Sequence, residues 1–404
     1  MLSPGAEGQD SEMRRMFFAL CAFVCIVAFA DTPTITGVTA RQRYPWNGKV
    51  DISYMVTGDI AAEAKQRAVF TSLKVMAIDR TANTTNVATQ LSGDTNITAG
   101  VHSIVWDMVA EGLSFKSSNV VFKVACETTN ALYCVIDLSA GANASVYPIT
   151  YLTEPPSGGF NVDAYKTTKL VLRRIEPGSF LMGGQYNVTL TKPFFCGIFE
   201  VTQKQYKLVM GSNPSYFNGE KRPVEKVTYN LIRGSSNGTQ WPSSAVVDSS
   251  SFMGKLRART GLDFDLPTEA QWEYACRAGT TSDYNNGGNA ESDLKKLGRY
   301  KDNQSDGRGT YSSNHTIVGS YTSNAWELYD MHGNVWEWCL DWYNSSLSKN
   351  VTDPQGVSSG ASRSIRGGSW YNNASSCTSS YRAQGEMSDT HYDYGFRIFR
   401  TLAN

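Results

Sequence analysis

Residues 329–339 read YDMHGNVWEWC, and this stretch decides how the second half of the chain is interpreted. A glutamate between two tryptophans, directly after Gly-Asn, places an anionic oxygen, an amide oxygen and turn carbonyls close together. Oxygen ligands grouped in this way suit a hard cation such as Ca²⁺. The pattern therefore predicts a calcium site with Asn334 and Glu337 as side-chain ligands and carbonyls near Gly333 and Val335 completing the shell. The alternative is that the glutamate caps a turn or pairs with an arginine such as Arg366.

A second block, RGGSW at 366–370, follows downstream, and after it come Cys377, Tyr381-Arg382 and GFR at 395–397. Paired glycines before an aromatic residue permit close backbone approach or a positive φ, which can open a pocket floor. The same pattern also fits a β-bulge with no further role.

The sequence around these blocks is poor in helix signals. TQKQ at 202–205 and TEAQ at 268–271 both fit the S/T-x-x-E/Q pattern that caps a helix start, and Gly279 is placed to end the second helix. A third short helix is predicted over residues 252–259. Residues 280–404 show no sustained helical period, so we expect long loops tied to short strands there.

The first part of the chain has a different pattern. From residue 32 to about 126, short runs alternate apolar and polar residues between turns, as in 50–54, 72–77 and 120–124. Period-two alternation at this spacing predicts an antiparallel β-sandwich of the immunoglobulin or fibronectin kind. The sequence of this region shows no candidate catalytic residues, so a spacer or adhesion module is the favoured interpretation.

These patterns divide the chain into four parts. Residues 1–30 hold upstream residues and a predicted signal peptide, because 13–30 combine two arginines, an apolar run and an Ala-x-Ala site. The β-sandwich is predicted over 31–127, a connector rich in Ser, Gly, Asn and Pro over 128–166, and the second domain over 167–404. An N-terminal membrane anchor is the alternative for the leader, although its apolar run is short for a span.

Charge and cysteine content narrow the functional class. Lysine plus arginine and aspartate plus glutamate both number 37, so no overall field attracts nucleic acid. Export to a periplasm or the cell exterior would place the cysteines in an oxidising compartment, where six cysteines allow fifteen pairings. The close pair Cys126/Cys134 is the easiest to bridge locally. The six that follow the leader are Cys126, Cys134, Cys196, Cys276, Cys339 and Cys377.

Taken in order, the blocks resemble the formylglycine-generating enzyme, or sulfatase-modifying factor, family over residues 169–402. The resemblance is carried by IEPGSFLMG at 175–183, EVT at 200–202, PVE at 223–225, LPTEAQWEY at 266–274, GNVWEW at 333–338, RGGSW and GFR. It implies a C-type-lectin-like fold, low in regular secondary structure, with bound calcium. The expected fold class is thus mainly β plus irregular (α+β).

The resemblance also implies site residues. Trp338 and Ser369 match positions that line the family's peptide cleft, and Trp370, Asn372 and Arg382 are predicted to contact a ligand beside them. In LGRY at 297–300, Arg299 occupies a place where relatives usually carry asparagine. A second calcium site of the family is therefore doubtful in this chain.

Active family members oxidise a sulfatase cysteine with O₂ and Cu(I), which two cysteines hold as thiolates. Soft thiolates are the ligands that Cu(I) selects. The family places those cysteines three and eight residues after the serine of GGS, and here these positions are Asn372 and Cys377. Because an amide cannot replace a thiolate, catalysis is expected to be lost or impaired. Cys377 is then a buried thiol or a disulfide partner of Cys339 or Cys276.

Two functions remain open at this point. The favoured one is an exported, catalytically impaired binding module whose cleft holds a peptide, a glycan or a protein such as a sulfatase. The alternative is an active formylglycine-generating oxidase in which Cys377 works with a recruited thiol. Neither hypothesis includes stable membrane insertion after the leader is cleaved.

Overall fold

The computed structural model of the chain describes residues 34–43, 47–57, 66–67, 69–95, 97–114, 119–304, 314–347 and 350–402. The predicted signal peptide lies outside these residues, and so does Trp46 of the predicted turn at 46–48. Among the residues described, no helix combines the length and the apolar character that a membrane crossing needs.

The chain forms two compact units that meet between Asn130 and Ala131. In the first unit, one sheet has the order β1-β2-β6-β5 and the other the order β4-β3-β7. Its described strands are β1 (Thr34–Gln42), β2 (Lys49–Thr57), β3 (Val69–Asp79), β4 (Thr84–Val87), β5 (Leu91–Gly93), β6 (Gly100–Asp107) and β7 (Val120–Asn130).

Alternation along these strands explains the core of the first unit. In β2 every second side chain, from Val50 to Val56, is buried. Both sheets contribute to one hydrophobic cluster, which includes Ile52, Trp106 and Val124. The three runs predicted as strands at 50–54, 72–77 and 120–124 lie in β2, β3 and β7, as expected.

The second unit has shorter strands in three sheets, with the orders β19-β13-β10-β8-β9, β11-β12-β15 and β17-β16-β14-β18. Its described strands are β8 (Tyr133–Asp137), β9 (Ile149–Leu152), β10 (Lys169–Ile175), β11 (Gly178–Met182), β12 (Tyr186–Leu190), β13 (Phe194–Gly197), β14 (Trp336–Trp342), β15 (Val351–Thr352), β16 (Arg363–Arg366), β17 (Arg382–Gly385), β18 (Tyr394–Gly395) and β19 (Phe399–Thr401). The fold is thus mostly β, as the sequence predicts.

The segment predicted as a connector, 128–166, contributes two strands to the second unit. Its strands β8 and β9 pair with each other, and β8 also pairs with β10, with Leu172 opposite Cys134. The reason is a short apolar run at 133–136 that is buried throughout, so it lacks the alternation that marks a half-exposed strand.

Among the described residues of the second unit, helices are few and short. They are α1 (Asp163–Thr167), α2 (Gln203–Met210), α3 (Tyr229–Arg233), α4 (Phe252–Thr260), α5 (Glu269–Arg277) and α6 (Glu291–Leu297), with 3₁₀ turns at Asn237–Thr239, Lys301–Asn303 and Ala374–Cys377. Both predicted capping boxes are present, at Thr202 and Thr268. The helix predicted over 252–259 is α4. The sequence gives little signal for helix α6, whose seven residues include only two apolar side chains, Leu294 and Leu297.

Candidate functional site

The RGGSW loop leaves β16 with two glycines in left-handed backbone, Gly367 at φ 95° and Gly368 at φ 74°. A Cβ on Gly368 would lie 2.5 Å from Cys377 Sγ and 2.8 Å from the Ser376 carbonyl oxygen. Only glycine therefore lets this loop pass over the 374–377 turn. The close approach expected from the paired glycines is what the structure shows.

Ser369 follows these glycines and is fully buried. Its Oγ lies 2.6 Å from Asn372 Oδ1 and 2.8 Å from Asp393 Oδ2, so its single proton is shared between two acceptors. The Asn372 amide oxygen thus faces a serine hydroxyl. Burial raises the pKa of Asp393 above its ordinary value.

Cys377, predicted from the family resemblance as the retained cysteine, has no exposed surface. It packs among Tyr284, Leu294, Leu297 and Tyr300. Burial in this apolar setting raises the pKa of its thiol to about 12. The group is therefore a protonated thiol at neutral pH, which is a poor nucleophile and a poor metal ligand.

The described cysteines form no disulfide, and all six carry free thiols. Cys276, a candidate partner of Cys377, is buried, and its sulfur lies 3.8 Å from His332 Nε2. The other nitrogen of His332 lies 2.7 Å from the Cys377 carbonyl oxygen, while the Asn285 N–H donates to Nε2. A neutral imidazole with its proton on Nδ1 satisfies both contacts. Burial lowers the pKa of His332 to about 4, so this imidazole is a neutral packing element.

Glu337, the predicted calcium ligand, is paired with an arginine. The Arg397 Nη2 atom lies 2.8 Å from Glu337 Oε1, and Arg397 Nε is 3.2 Å from both carboxylate oxygens. Trp272 Nε1 donates to Glu337 Oε2 at 2.8 Å. The arginine alternative is thus realised, with Arg397 of the GFR motif in the place suggested for Arg366.

Asn334 is also committed to protein partners. It adopts φ 59°, its Oδ1 accepts from the Thr316 N–H at 2.9 Å, and its Nδ2 donates to Glu200 Oε2 at 2.6 Å. The Val335 N–H donates to the other Glu200 oxygen. A Ca²⁺ ion needs six to eight oxygen ligands. The Asn334 amide oxygen and both Glu337 oxygens already have protein partners, and the Arg397 guanidinium neutralises Glu337. The two predicted side-chain ligands are therefore engaged within the protein, and the calcium site at 333–337 stays a prediction.

The predicted ligand-contact residues are divided between core and surface. Trp338 is fully buried, and its Nε1 donates to the Val227 carbonyl at 2.9 Å. Trp370 is 3% exposed. Arg382 forms a two-pronged pair with Glu269, at 2.6 and 2.7 Å. Of the predicted set, Asn372 is the residue that is partly exposed and not held in an ion pair.

Trp370 lies in a cluster with four further aromatic side chains that the sequence motifs do not point to. We call Tyr216, Phe217, Trp370, Tyr371 and Tyr392 the aromatic surface. The tyrosines are 67%, 59% and 43% exposed in that order. Trp370 is the centre, with ring centroids 5.6 Å from Phe217, 5.4 Å from Tyr371 and 5.9 Å from Tyr392.

A buried carboxylate holds the backbone of the 216–217 loop, which forms one side of the aromatic surface. Glu225 is fully buried and accepts the backbone N–H groups of Tyr216 at 2.6 Å and Phe217 at 2.8 Å. The recurrence of tyrosine between 371 and 394 was the available sequence signal. It could not reveal Tyr216 and Phe217, because they come from a loop some 150 residues earlier in the chain.

The motif order, the mostly β fold and the RGGSW loop define a class of protein. The family described as "Sulfatase-modifying factor enzyme 1-like domain" matches residues 162–402. The chain belongs to this family, as its motifs indicate.

Particular relatives differ in how much of them is matched. "Chaperone protein LppX" of Paenibacillus barcinonensis is 30% identical over 245 residues, which are 53% of this chain and 82% of that protein. "Formylglycine-generating enzyme" of Streptomyces coelicolor is 37% identical over 134 residues, 31% of this chain and 41% of the enzyme. The chain thus spans less than half of that enzyme. A solved structure, "Treponema denticola variable protein 1", aligns with a TM-score of 0.48 and 27% identity, covering 58% of this chain and 95% of that chain.

Proposed function

We propose that this chain is a binding member of the formylglycine-generating family that does not oxidise cysteine. The observation that carries the proposal is the pair of positions that the family uses for copper. Cys377 is a buried thiol with a pKa of about 12, and Asn372 presents an amide oxygen to Ser369. Since Cu(I) is held by soft thiolates, a protonated sulfur at one position and an amide at the other support a loss of oxidase activity.

The oxidation test uses the purified full chain with Cu(I), O₂ and a Cys-x-Pro-x-Arg peptide, with formylglycine read by mass spectrometry. An active formylglycine-generating enzyme is the positive control. We expect no conversion. Conversion by the wild type that disappears in Cys377→Ser would establish the oxidase instead.

An Asn372→Cys variant sharpens the same experiment. It restores the second cysteine of the family pattern but leaves Cys377 beneath Gly368, where a thiolate is strongly disfavoured. We expect this variant to remain inactive. Activity in Asn372→Cys would mean that the missing thiol is the sole defect and that burial of Cys377 is no obstacle.

The binding half of the proposal is supported by the aromatic surface. Exposed tyrosines provide large contact areas at a low cost in side-chain entropy, and loops rich in Tyr, Ser, Gly and Asn are typical of antibody combining sites. Residues 371–376 read YNNASS and join this surface to the partly exposed Asn372. This composition favours a peptide or protein partner over a glycan.

Binding is tested with a peptide selected on the full chain from a random display library. The dissociation constant of that peptide is then measured for the wild type, for the double variant Tyr371→Ala/Tyr392→Ala and for Val146→Ala. Val146 is 63% exposed and is not part of the aromatic surface. We expect at least a tenfold loss for the tyrosine variant, about 1.4 kcal/mol, and no change for Val146→Ala. Equal binding by all three proteins would exclude the aromatic surface as the site.

Export, an immunoglobulin-like sandwich in the first unit and a C-type-lectin-like second unit belong to the same proposal. A sandwich carrying an adhesion or spacer role would present the second unit to a partner outside the cytoplasm. Expression with the leader in a secreting host should give a mature protein that begins at Asp31. A product that retains residues 13–30 would contradict cleavage.

A further inference from the structure

Arg299 is 8% exposed, and its guanidinium donates to three backbone carbonyl oxygens. The acceptors are Asn303 at 2.7 Å, Gln304 at 3.0 Å and Asn314 at 3.3 Å. The first two carbonyls belong to the end of a 3₁₀ turn, whereas the third comes from a later part of the chain. One side chain thus gathers oxygens from separate segments.

Converging carbonyl oxygens call for a cation or for several N–H donors, since a buried carbonyl without a partner is costly. A hard divalent cation is one solution. A guanidinium is another, because it is permanently charged and offers five N–H donors in a rigid plane. A second guanidinium lies close by, since Arg222 Nη1 donates to Asn314 Oδ1 at 2.8 Å while Arg299 Nε donates to the carbonyl of the same residue. A divalent ion at this position would meet both positive charges.

The same segment supports the aromatic surface. The Lys301 N–H donates to the Asn372 carbonyl at 3.0 Å, and Gln304 Nε2 donates to the Trp370 carbonyl at 2.5 Å. The Arg299 backbone carbonyl accepts the Asn334 N–H at 2.7 Å. Arg299 therefore connects the GNVWEW turn to the segment that carries Trp370 and Asn372.

We propose that the Arg299 guanidinium takes the place of a divalent cation in this chain and positions residues 370–372 without metal. The carbonyls of residues 303, 304 and 314 would then form a latent cation site that opens when the guanidinium is removed. Arg299 is a positioning residue, and its effect on ligand binding rests on the function proposed above.

The test compares melting temperatures of the full chain in excess EGTA and in excess CaCl₂. The wild type should melt at the same temperature in both. Arg299→Asn, which replaces the guanidinium by an oxygen ligand, should melt several degrees lower in EGTA and recover part of the loss in CaCl₂. Isothermal titration with CaCl₂ should detect binding to this variant and none to the wild type.

Two further variants separate a cation site from general damage. Arg299→Lys keeps the charge but not the planar donors, so it should melt lower and show no response to CaCl₂. Arg259 also serves backbone carbonyls, those of Val209 and Ala142, at a different place in the unit. Arg259→Asn should lose stability and likewise show no calcium response.

Three results would overturn the proposal: a wild type that is destabilised by EGTA, an Arg299→Asn variant that melts like the wild type in EGTA, or one that CaCl₂ does not stabilise. Affinity for the display-selected peptide should fall in Arg299→Asn and recover in CaCl₂. If no peptide binds even the wild type, the proposed function fails, whereas the melting and titration results still decide the role of Arg299.

Discussion

The two units of the molecule satisfy their backbone groups in different ways. In the first unit β3 pairs with β7 along its whole length, from Val69 opposite Asn130 to Asp79 opposite Val120, and the cluster beneath is apolar. Its described arginines are exposed or half-buried. The second unit has short strands and long loops, and four of its largest fully buried side chains are arginines, namely Arg233, Arg363, Arg366 and Arg397.

The difference shows what the buried arginines contribute. Arg397 donates to the carbonyls of Gly197, Ile198 and Tyr329 as well as to Glu337. A loop buried in a core leaves carbonyls that no strand pairs with, and a guanidinium with five donors can serve several of them at once. Motifs such as GNVWEW and GFR thus act first as the internal support of an irregular fold.

Breaking the Arg397 to Glu337 pair should have the largest effect on stability. Arg397→Met leaves a buried carboxylate without its cation and removes the guanidinium donors to the Gly197 and Tyr329 carbonyls, so we expect a loss of ~3–5 kcal/mol in the free energy of unfolding. Urea unfolding of the second unit measures it. Arg43→Ala is the matched control in the first unit, where the pair with Asp51 is 44% exposed on both sides and should contribute less than about 1 kcal/mol. Equal losses in the two variants would refute the contrast between the units.

Much of the fold could be predicted from local signals, because those signals need few residues. The capping box at Thr268 involves four consecutive residues, and the strand pattern at 50–54 needs only alternation. The partner of Glu337 could not be predicted, since Arg397 lies sixty residues further along and is one of many arginines. The same limit applies to the calcium interpretation of residues 333–337, which stays a prediction, because residue types identify oxygens but not what already binds them.

Substitution of Gly368 in the RGGSW loop should cause the next largest loss of stability. Gly368→Ala would place a Cβ 2.5 Å from Cys377 Sγ at a positive φ, so overpacking and backbone strain add to a loss of ~2–4 kcal/mol. Gly37 in β1 also has a positive φ but nothing within 4 Å of an added Cβ. Gly37→Ala should therefore cost only the backbone term, about 1–2 kcal/mol. Thermal unfolding of both variants gives the comparison, and a larger loss at Gly37 would contradict it.

The buried carboxyl of Asp341 should make the stability of the second unit depend on pH. Burial, helped by Glu269, raises the pKa of this carboxyl from 3.8 to about 7. The folded state therefore holds the proton more tightly, so this contribution to stability is present below pH 3.8 and is lost as the pH rises towards 7. In the first unit, Asp94 raises the pKa of His102 above 6.5, and that contribution is lost at higher pH.

The Asp341→Asn variant isolates this carboxyl, because an amide oxygen can still accept the Glu269 N–H. Urea unfolding between pH 4 and 7 should show a smaller decline in stability for the variant than for the wild type. The transition of the first unit should be unchanged and serves as the internal control. An identical decline in both proteins would assign the pH dependence to other buried acids such as Asp330, whose pKa burial raises to about 6.

Helix starts offer the smallest and most local test, since there too a side chain satisfies backbone groups. Thr268→Ala removes the oxygen that accepts the Gln271 N–H and should cost about 1 kcal/mol, whereas Thr268→Ser should retain most of it. Helix α6 begins after Ala290, which is exposed and has no side-chain acceptor. Ala290→Ser should therefore stabilise the second unit by ~0.5–1 kcal/mol. Thermal unfolding of both variants should show a loss of stability in Thr268→Ala and a gain in Ala290→Ser. That result would show that side chains also satisfy backbone groups at the helix starts of this unit. A destabilised Ala290→Ser would limit this conclusion to the buried arginines.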